Sequence, residues 1–431
     1  MRTLVIGSGG REHALVTALA RDPQVTEVHA APGNPGIAAT AAVHLVDAMD
    51  GEAIADLAAE VGADLVIVGP EAPLVAGVAD VVRAAGVACF GPSRAAAAIE
   101  GSKAFAKDVM YAAGIPTGLA RLCATPAQVS AALDEFGAPY VVKDDALAAG
   151  KGVVVTTDRG TAKAHANACA RVVVEEFLDG PEVSLFAICD GETVLPMQPA
   201  QDFKRLRVGD AGPNTGGMGA YTPLPWAPHG LAADACSRVL QPAVDELARR
   251  GKPFVGLLYA GLALTARGVK VVEFNARFGD PETQVLLPVL DTPLGQLLAA
   301  AATGRLGQVG ELRWRPAVSV AVVMAAAGYP ESPRKGDAIS GVADAQAMDG
   351  VQVLHAGTAL APARPAADEA GLGPASGSQL VTAGGRVLTV TATGPSVQRA
   401  RDLAYAGVNR IHFDGAQYRS DIALATRSHC G

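Results

Sequence analysis

The first hundred residues alternate between short apolar runs and stretches with apolar residues at helical spacing. The runs predict buried strands at residues 3–6, 25–30, 65–68 and 87–90. The stretches between them predict helices from about residue 14, over 53–61 and over 75–85. Strands that alternate with helices indicate a parallel sheet with helices on both faces. We therefore predict an N-terminal α/β domain.

A different pattern follows a predicted helix at 103–113. Four β-rich runs predict a small α+β unit and lie at 139–143, 153–157, 171–177 and 183–189. A glycine-rich loop is expected at 212–219, and a helix over 231–250 should be interrupted near Pro242. The runs 257–265 and 269–274 predict a hairpin. Strand-like runs at 317–325 and 386–391 predict a separate small C-terminal domain.

Composition and charge exclude several classes of protein. The net charge is −8, from 43 acidic and 35 basic residues, so we expect no nucleic-acid partner. No apolar stretch approaches the roughly 20 uninterrupted residues of a membrane span, so we expect no membrane partner. The six cysteines form no C-x-x-C pair, which disfavours a zinc site. Scattered thiols fit a reducing compartment, and we expect a cytoplasmic monomer.

The turn after the first predicted strand contains Gly7, Gly9 and Gly10. Such glycines either let the backbone approach a phosphate at the next helix or allow close packing, and the sequence alone leaves both open. Glu12 stands where a dinucleotide-binding motif has its third glycine, and the second strand ends without an acid for a ribose. Both features disfavour a nicotinamide-dependent oxidoreductase.

Two segments have the composition of a nucleotide site. Lys143 leaves a predicted strand just before a glycine-bearing turn at 148–152, which can hold phosphates or be a plain hairpin. The second segment is the end of the predicted strand 171–177 with the acidic residues beyond it. Such a strand edge can bind adenosine, or it can be an exposed strand end. The residues in question are Glu175, Glu176, Phe177, Leu178 and Glu182.

The most specific chemistry lies in the segment 273–283. On a strand, Glu273, Asn275 and Arg277 fall on one face. Two oxygen ligands and a cation on one face suit Mg²⁺ shared with a phosphate chain. Asp280 and Glu282 add carboxylates within reach. The charge density favours a site over a merely polar strand.

The order of these motifs resembles the phosphoribosylamine–glycine ligase family of ATP-grasp enzymes along the whole chain. The matching segments are 5–14, 31–34, 68–75, 101–103, 212–221, 277–284 and 355–358. The resemblance implies an α/β and α+β multidomain fold with an N-terminal domain at 1–102, an ATP-grasp domain at 103–316 and a C-terminal domain at 317–431. A small lid subdomain is expected at about 117–188.

The resemblance also implies a reaction and its site residues. ATP, glycine and 5-phosphoribosylamine would give glycinamide ribonucleotide, ADP and phosphate through glycyl phosphate. Mg²⁺ or Mn²⁺ would be held by Glu273 and Asn275, with Arg277, Lys143 and Asp280 as catalytic residues. ATP would contact Lys103, Lys143 and the segment from Glu175 to Leu178 with Glu182. The substrate-binding residues would be Gly9, Gly10, Asn34, Pro70, Glu71, Asn214, Thr215, Gly216 and Gly217.

Three departures from the family pattern leave an alternative open. Asp144 adds a negative charge and Ala146 a stiffer backbone where the family has alanine and glycine. The segment 156–170 is shorter than usual, and Phe203 replaces a histidine. These changes predict weaker ATP binding or a less shielded intermediate. The alternative is a nucleotide-binding ATP-grasp paralogue with weak or altered ligase activity.

Overall fold

The computed structural model describes residues 1–146, 152–362 and 378–424. The N-terminal strands form a parallel sheet in the order β3-β2-β1-β4-β5. They are β1 (Arg2–Gly7), β2 (Glu27–Pro32), β3 (Ala42–Val43), β4 (Leu65–Val68) and β5 (Ala88–Phe90). The helices are α1 (Gly10–Ala20), α2 (Gly51–Glu60), α3 (Glu71–Ala76), α4 (Val78–Ala84) and α5 (Arg94–Gly101), with a 3₁₀ turn at Ile37–Ala39. The predicted α/β domain is confirmed.

The single helix predicted over 75–85 is wrong. Gly77 has φ 93°, a left-handed conformation that ends α3 and starts α4. Such a backbone conformation favours glycine because it has no Cβ. The strand order changes direction between β1 and β4, so the carboxyl ends of these two strands border a crevice.

A small antiparallel sheet follows, in the order β6-β9-β7-β8. Its elements and the helix before it are α6 (Lys103–Ala112), β6 (Ala120–Cys123), α7 (Pro126–Phe136), β7 (Tyr140–Asp144), β8 (Val153–Thr156), α8 (Arg159–Asn167) and β9 (Val172–Glu175). The helices α7 and α8 pack on one face, and Leu133, Val142 and Val174 belong to its separate core. The predicted turn at 148–152 lies outside the described residues except for Gly152.

The next strands divide among three sheets, one of which has only two strands. They are β10 (Glu182–Asp190), β11 (Val194–Pro196), β12 (Gln201–Asp202), β13 (Arg205–Arg207), β14 (Ala211–Asn214), β15 (Gly219–Thr222), β16 (Val255–Thr265) and β17 (Gly268–Asn275). A central antiparallel sheet has the order β11-β10-β16-β17, and β16 with β17 confirms the predicted hairpin. The predicted loop at 212–219 is wrong at its start, because 211–214 pairs with β13.

The helix predicted over 231–250 is interrupted, as expected from Pro242. It consists of α9 (Leu231–Ala235), a π-helical turn (Cys236–Leu240) and α10 (Gln241–Arg249). Further helices are α11 (Thr283–Leu286) and α12 (Leu294–Ala302), followed by a 3₁₀ turn at Leu306–Gln308.

The C-terminal sheet has the order β12-β15-β18-β22-β19, so two of its strands come from the preceding region. The remaining elements of the C-terminal region are β18 (Val318–Ala325), α13 (Val342–Gln346), β19 (Val351–His355), β20 (Thr358–Pro362), β21 (Ser378–Thr382), β22 (Arg386–Gly394) and α14 (Val397–Val408). Strands β20 and β21 pair with each other in a separate two-stranded sheet. Helix α14 covers β18 and β22, and this packing confirms an α+β unit. Among the described residues, no helix is long and apolar enough to cross a membrane.

Candidate active site

A cavity of about 1200 Å³ opens between the small antiparallel sheet, the central sheet and the C-terminal sheet. It gathers most of the residues that the sequence singled out. The predicted residues that line it are Glu71, Lys103, Lys143, Glu175, Glu176, Phe177, Leu178, Glu182, Asn214, Thr215, Gly216, Glu273, Asn275, Arg277 and Asp280. Gly9, Gly10, Asn34, Pro70 and Gly217 do not line it.

The register of the central sheet explains why several polar side chains meet. Tyr259 lies opposite Asn275, and Gly261 lies opposite both Ser184 and Glu273. Opposite residues of an antiparallel pair point to the same face. Gly261 carries no side chain, and a Cβ there would lie 3.5 Å from Cγ of Glu273. One face of β16 and β17 therefore presents Glu273, Asn275 and Tyr259 together.

The lysines at one wall of the cavity share a single carboxylate. Lys143 Nζ lies 3.0 Å from Glu175 Oε2 and donates to the carbonyl of Val272 at 3.0 Å. Lys107 Nζ lies 3.3 Å from the same carboxylate oxygen. Burial lowers the pKa of Lys107 to about 8, opposed by the nearby Glu175. Two lysines against one acid leave a positive wall that suits a polyphosphate.

The other predicted nucleotide residues continue along this wall. Glu176 accepts a hydrogen bond from the backbone nitrogen of Leu119 at 3.1 Å and pairs with Arg267 and Lys270. Although burial opposes it, the hydrogen bond from Arg267 lowers the pKa of Glu176. Phe177 is 42% exposed and lines the cavity, so its ring presents an apolar surface to a ligand.

Glu273 and Asn275 offer oxygen ligands with the chemistry that Mg²⁺ prefers. Although burial opposes ionisation, Lys204 and Lys143 lower the pKa of Glu273, which keeps it charged. Asn275 is 9% exposed and lines the cavity. A charged carboxylate beside an amide, next to the positive wall, fits a divalent cation shared with phosphates.

Arg277 and Asp280 lie beyond the end of β17 and are held by other domains. Arg277 lies 3.5 Å from Glu71 and 3.3 Å from Glu100, both of the N-terminal domain. Asp280 lies 3.3 Å from Arg386 of β22 and accepts from Gln284 at 2.6 Å. These contacts join the N- and C-terminal domains at the floor of the cavity.

A second cavity of about 500 Å³ lies at the carboxyl ends of β1, β2 and β4. Gly9 and Pro70 line it, with Arg11, which also lines the large cavity. Gly10 instead packs closely against the side chain of Gln284. A Cβ at residue 10 would lie only 2.8 Å from Nε2 of Gln284, so a larger residue would not fit without a shift.

Asn34 and Gly217 have contacts within the protein. Asn34 donates to the carbonyls of Ser8 and His355 and accepts from Gly36 and Ile37, so its amide is fully hydrogen-bonded. Gly217 packs between Pro281 and Asp202. Asn34 and Gly217 would therefore support the backbone around a substrate site rather than contact the substrate.

Lys107, Glu100 and Arg386 are among the cavity residues that were not found from the sequence. Lys107 lies one helical turn after Lys103 on α6, a spacing that could have identified it. Glu100 and Arg386 reach the site through contacts between domains, for which the local sequence has no signal.

Three family models match successive parts of the chain. They describe phosphoribosylglycinamide synthetase: its N domain at residues 1–100, its ATP-grasp (A) domain at 101–283 and its C domain at 319–425. A phosphoribosylamine–glycine ligase of Streptomyces coelicolor is 62% identical and covers 98% of this chain and 99% of its own length. One of Mycobacterium tuberculosis strain H37Rv is 54% identical and covers 98% of each chain.

Solved structures agree with this assignment. A phosphoribosylamine–glycine ligase from Thermotoga maritima has a TM-score of 0.81 and 31% identity, over 98% of this chain and all (100%) of that one. N5-carboxyaminoimidazole ribonucleotide synthetase from the same organism has a TM-score of 0.63 at 17% identity, over 96% and 99% of the two chains, and shares the fold. The chain belongs to the phosphoribosylglycinamide synthetase family.

Proposed function

We propose that the chain joins glycine to 5-phosphoribosylamine at the expense of ATP, giving glycinamide ribonucleotide, ADP and phosphate in purine biosynthesis. Membership of an ATP-grasp family implies ATP and a divalent metal ion. The observation that carries the proposal is the large cavity, where the lysine wall, Glu273 with Asn275, and Arg277 face one another. Such an arrangement suits transfer of a phosphoryl group.

The reaction needs two displacements. A glycine carboxylate oxygen forms a bond to the γ-phosphorus as its bond to the β,γ-bridging oxygen breaks, and ADP leaves. The amine of phosphoribosylamine then attacks the carbonyl carbon of glycyl phosphate, the C–O bond to phosphate breaks, and the amine loses a proton. An acyl phosphate is a reactive electrophile, so the protein contributes chiefly by positioning and neutralising charge.

We assign roles by position in the cavities. Lys103 and Lys143 bind the ATP phosphates, while Glu175, Glu176, Phe177, Leu178 and Glu182 surround the adenosine. Glu273 and Asn275 hold Mg²⁺ or Mn²⁺, which neutralises phosphate charge when bound. Arg277 steadies the transferred phosphoryl group, and Asp280 holds Arg386 in place. The cavity at β1 and β4 takes phosphoribosylamine, with Glu71 and Arg11 between the two cavities.

Two acidic residues just before the turn at 148–152 have structural partners. Asp145 accepts from Ser102 Oγ at 3.1 Å and from the Ala104 nitrogen at 2.7 Å, which ties β7 to the start of α6. Asp144 accepts from the Ala146 nitrogen at 3.3 Å. The carboxylate of Asp144 is therefore directed to its own turn.

The test is phosphate release from ATP and Mg²⁺ with glycine and freshly made phosphoribosylamine, supplied separately and together. Release that requires both substrates, with glycinamide ribonucleotide as product, supports the proposal. Lys143→Met should raise the KM for ATP by about tenfold or more, since a charged hydrogen bond contributes about 1.5–3 kcal/mol. Lys335→Met, at an exposed position outside the cavity, is the matched control. ATP binding without release would refute the ligase.

A further inference from the structure

Lys107 is a buried lysine of α6 to which the reaction described above assigns no role. It is 5% exposed, and it lines the large cavity one helical turn after Lys103. Lysine is almost never buried unless its charge is paired, because an unpaired ammonium group loses its hydration. The contacts of Lys107 therefore show what its charge does beside the site.

Lys107 uses all its hydrogen-bond donors on the protein. Its Nζ donates to Thr117 Oγ1 at 2.8 Å and to the carbonyl of Gly118 at 3.2 Å, and it lies 3.3 Å from Glu175 Oε2. An ammonium group has three N–H bonds, and these three oxygens occupy them. Lys107 therefore has no donor left for a ligand and acts on the site through its partners.

Lys143 differs from Lys107 because it keeps a donor for a ligand. In the part of the chain that the structure describes, its Nζ has two partners, Glu175 Oε2 at 3.0 Å and the carbonyl of Val272 at 3.0 Å. One N–H bond remains to bind a phosphate oxygen. The same carboxylate oxygen of Glu175 faces both lysines, so the two lysines compete for it.

The charges of these three side chains decide how strongly Lys143 can attract an anion. Two lysines and one carboxylate leave one positive charge over. Without the charge of Lys107, Glu175 and Lys143 would form a neutral pair. Opposite charges attract each other strongly when both are buried, and Glu175 is 3% and Lys143 4% exposed. Glu175 would then compete with a phosphate for Lys143.

We propose that Lys107 is a positioning residue for ATP, which holds Glu175 and so leaves the charge of Lys143 available to the ATP phosphates. This inference rests on the proposed function in one respect, the placement of the ATP phosphates at Lys143. Lys107 lies where the two connections of the small antiparallel sheet meet α6, because Thr117 and Gly118 precede β6 and Glu175 ends β9. Its three contacts hold Glu175 at a fixed position relative to α6.

Mild alkali should remove this effect, because burial lowers the pKa of Lys107 from 10.5 to about 8. Glu175 of β9 opposes this shift of the pKa, whereas Lys143 of β7 and Lys270 of β17 add to it. These charged groups face Lys107 from the strands packed against it, and the phenol of Tyr111, one turn further along α6, donates to the same backbone carbonyl at 3.3 Å. As the pH rises through about 8, Lys107 loses its charge and ATP should bind less tightly.

The experiment measures the binding of ATP with Mg²⁺ by calorimetry, which requires no ligation, in wild type, Lys107→Met and Lys107→Arg. The Kd of wild type should rise about fivefold between about pH 7.5 and about pH 9, as the charge is lost. Lys107→Met should bind ATP about tenfold more weakly at about pH 7.5 and should show no further weakening, since the charge is absent throughout. Lys107→Arg keeps its charge, so its Kd should stay within about threefold of wild type at the lower pH and should not change with pH.

Lys252→Met is the matched control for the loss of a lysine charge. Lys252 packs on the ring of Phe105 in the same helix, with Nζ 4.5 Å from the ring centroid, and lies outside the cavity. Its substitution should leave the Kd for ATP and the pH dependence of that Kd unchanged.

A double-mutant cycle tests whether Lys107 acts through Glu175. In a Glu175→Gln background, Lys107→Met should weaken ATP binding by about twofold or less, instead of about tenfold, because no carboxylate is left to capture Lys143. The same factor in both backgrounds would show that Lys107 acts on ATP independently of Glu175, and it would overturn the inference.

The remaining outcomes separate this inference from the proposed function. A wild-type Kd that does not change with pH, or an alkaline weakening in Lys107→Arg as large as that of wild type, would overturn the inference. A lower melting temperature of Lys107→Met without a change in Kd would show a purely structural role and would do the same. If Lys107→Met does not fold, Lys107→Gln replaces it in the cycle and Lys107→Arg decides the pH dependence. The expected ATP binding in a protein without ligase activity refutes the proposed function alone, whereas a wild type that does not bind ATP overturns both.

Discussion

The contact between the N- and C-terminal domains should weaken in mild acid because it contains two buried histidines. The backbone nitrogen of His355 in β19 donates to Nδ1 of His13 in α1 at 2.8 Å, and the ring centroids lie 5.7 Å apart. Burial, and next the proximity of His355, lowers the pKa of His13 from 6.5 to about 3. Burial lowers the pKa of His355 from 6.5 to about 4. Both rings are therefore neutral in the folded protein at neutral pH.

The sign and size follow from proton linkage. The folded pKa values lie below the unfolded value, so the stabilisation is present above pH 6.5 and is lost as the pH falls toward about 4 and about 3. Between about pH 7.5 and about pH 5.5, each histidine should cost about 1.4 kcal/mol of stability, or about 2.7 kcal/mol for the pair. Most carboxylates remain ionised over this range, so their contribution is small.

Hydrogen exchange of peptides that cover α1 and β19 would measure the opening free energy at both pH values. His13→Gln keeps a hydrogen-bond acceptor but cannot be protonated, so it should remove about half of the pH dependence. His229→Gln, at an exposed loop position, should leave the pH dependence unchanged. The reasoning is refuted if His13→Gln and wild type lose the same free energy on acidification.

Three further substitutions test the site and its support. Gly69→Ala would place a Cβ 2.1 Å from Glu12 Oε1 in the interior, so a thermal melt should show a loss of about 1–3 kcal/mol. Glu273→Gln removes a charged oxygen ligand and should raise the Mg²⁺ concentration for half-maximal activity by roughly tenfold or more. Arg277→Lys replaces the planar guanidinium group, which contacts both Glu71 and Glu100, by a single ammonium group. We expect kcat to fall by about 10²-fold with little change in the KM for ATP. Unchanged values in these assays would contradict the assigned contacts.

Strands β1, β4, β10 and β16 could be predicted because their apolar runs are buried on both faces. The short strands β3 and β11 were not predicted. The helices α7, α12 and α14 were not predicted, although Thr125 and Ser396 cap two of them in the structure. The strand at 211–214 was missed because its glycine and proline have low strand propensity, and pairing with β13 determines its conformation.

The site shows the same division between local and distant signals. Glu273 and Asn275 were placed on one face because alternation along a strand is a local property. Arg386 could not be placed, since it reaches Asp280 only through the pairing of β18 with β22 and the packing of the C-terminal sheet. The sequence likewise indicated that Asp280 and Glu282 bring carboxylates to the site. It did not indicate that Asp280 pairs with an arginine, Arg386.

The glycine turn after β1 shows how one substitution changes the chemistry of a familiar fold. Glu12 occupies the third-glycine position, is 1% exposed, and accepts from the Gly9 nitrogen at 2.6 Å and from Arg11 Nε at 2.5 Å. Cβ atoms on Gly7, Gly9 and Gly69 would each lie within 2.7 Å of its side chain, so these glycines make room for it. The carboxylate thus takes the place at the start of α1 where a dinucleotide-binding protein receives a pyrophosphate. Glu12 therefore disfavours a dinucleotide site at this turn, whereas the adjoining cavity lined by Gly9, Arg11 and Pro70 stays open for phosphoribosylamine.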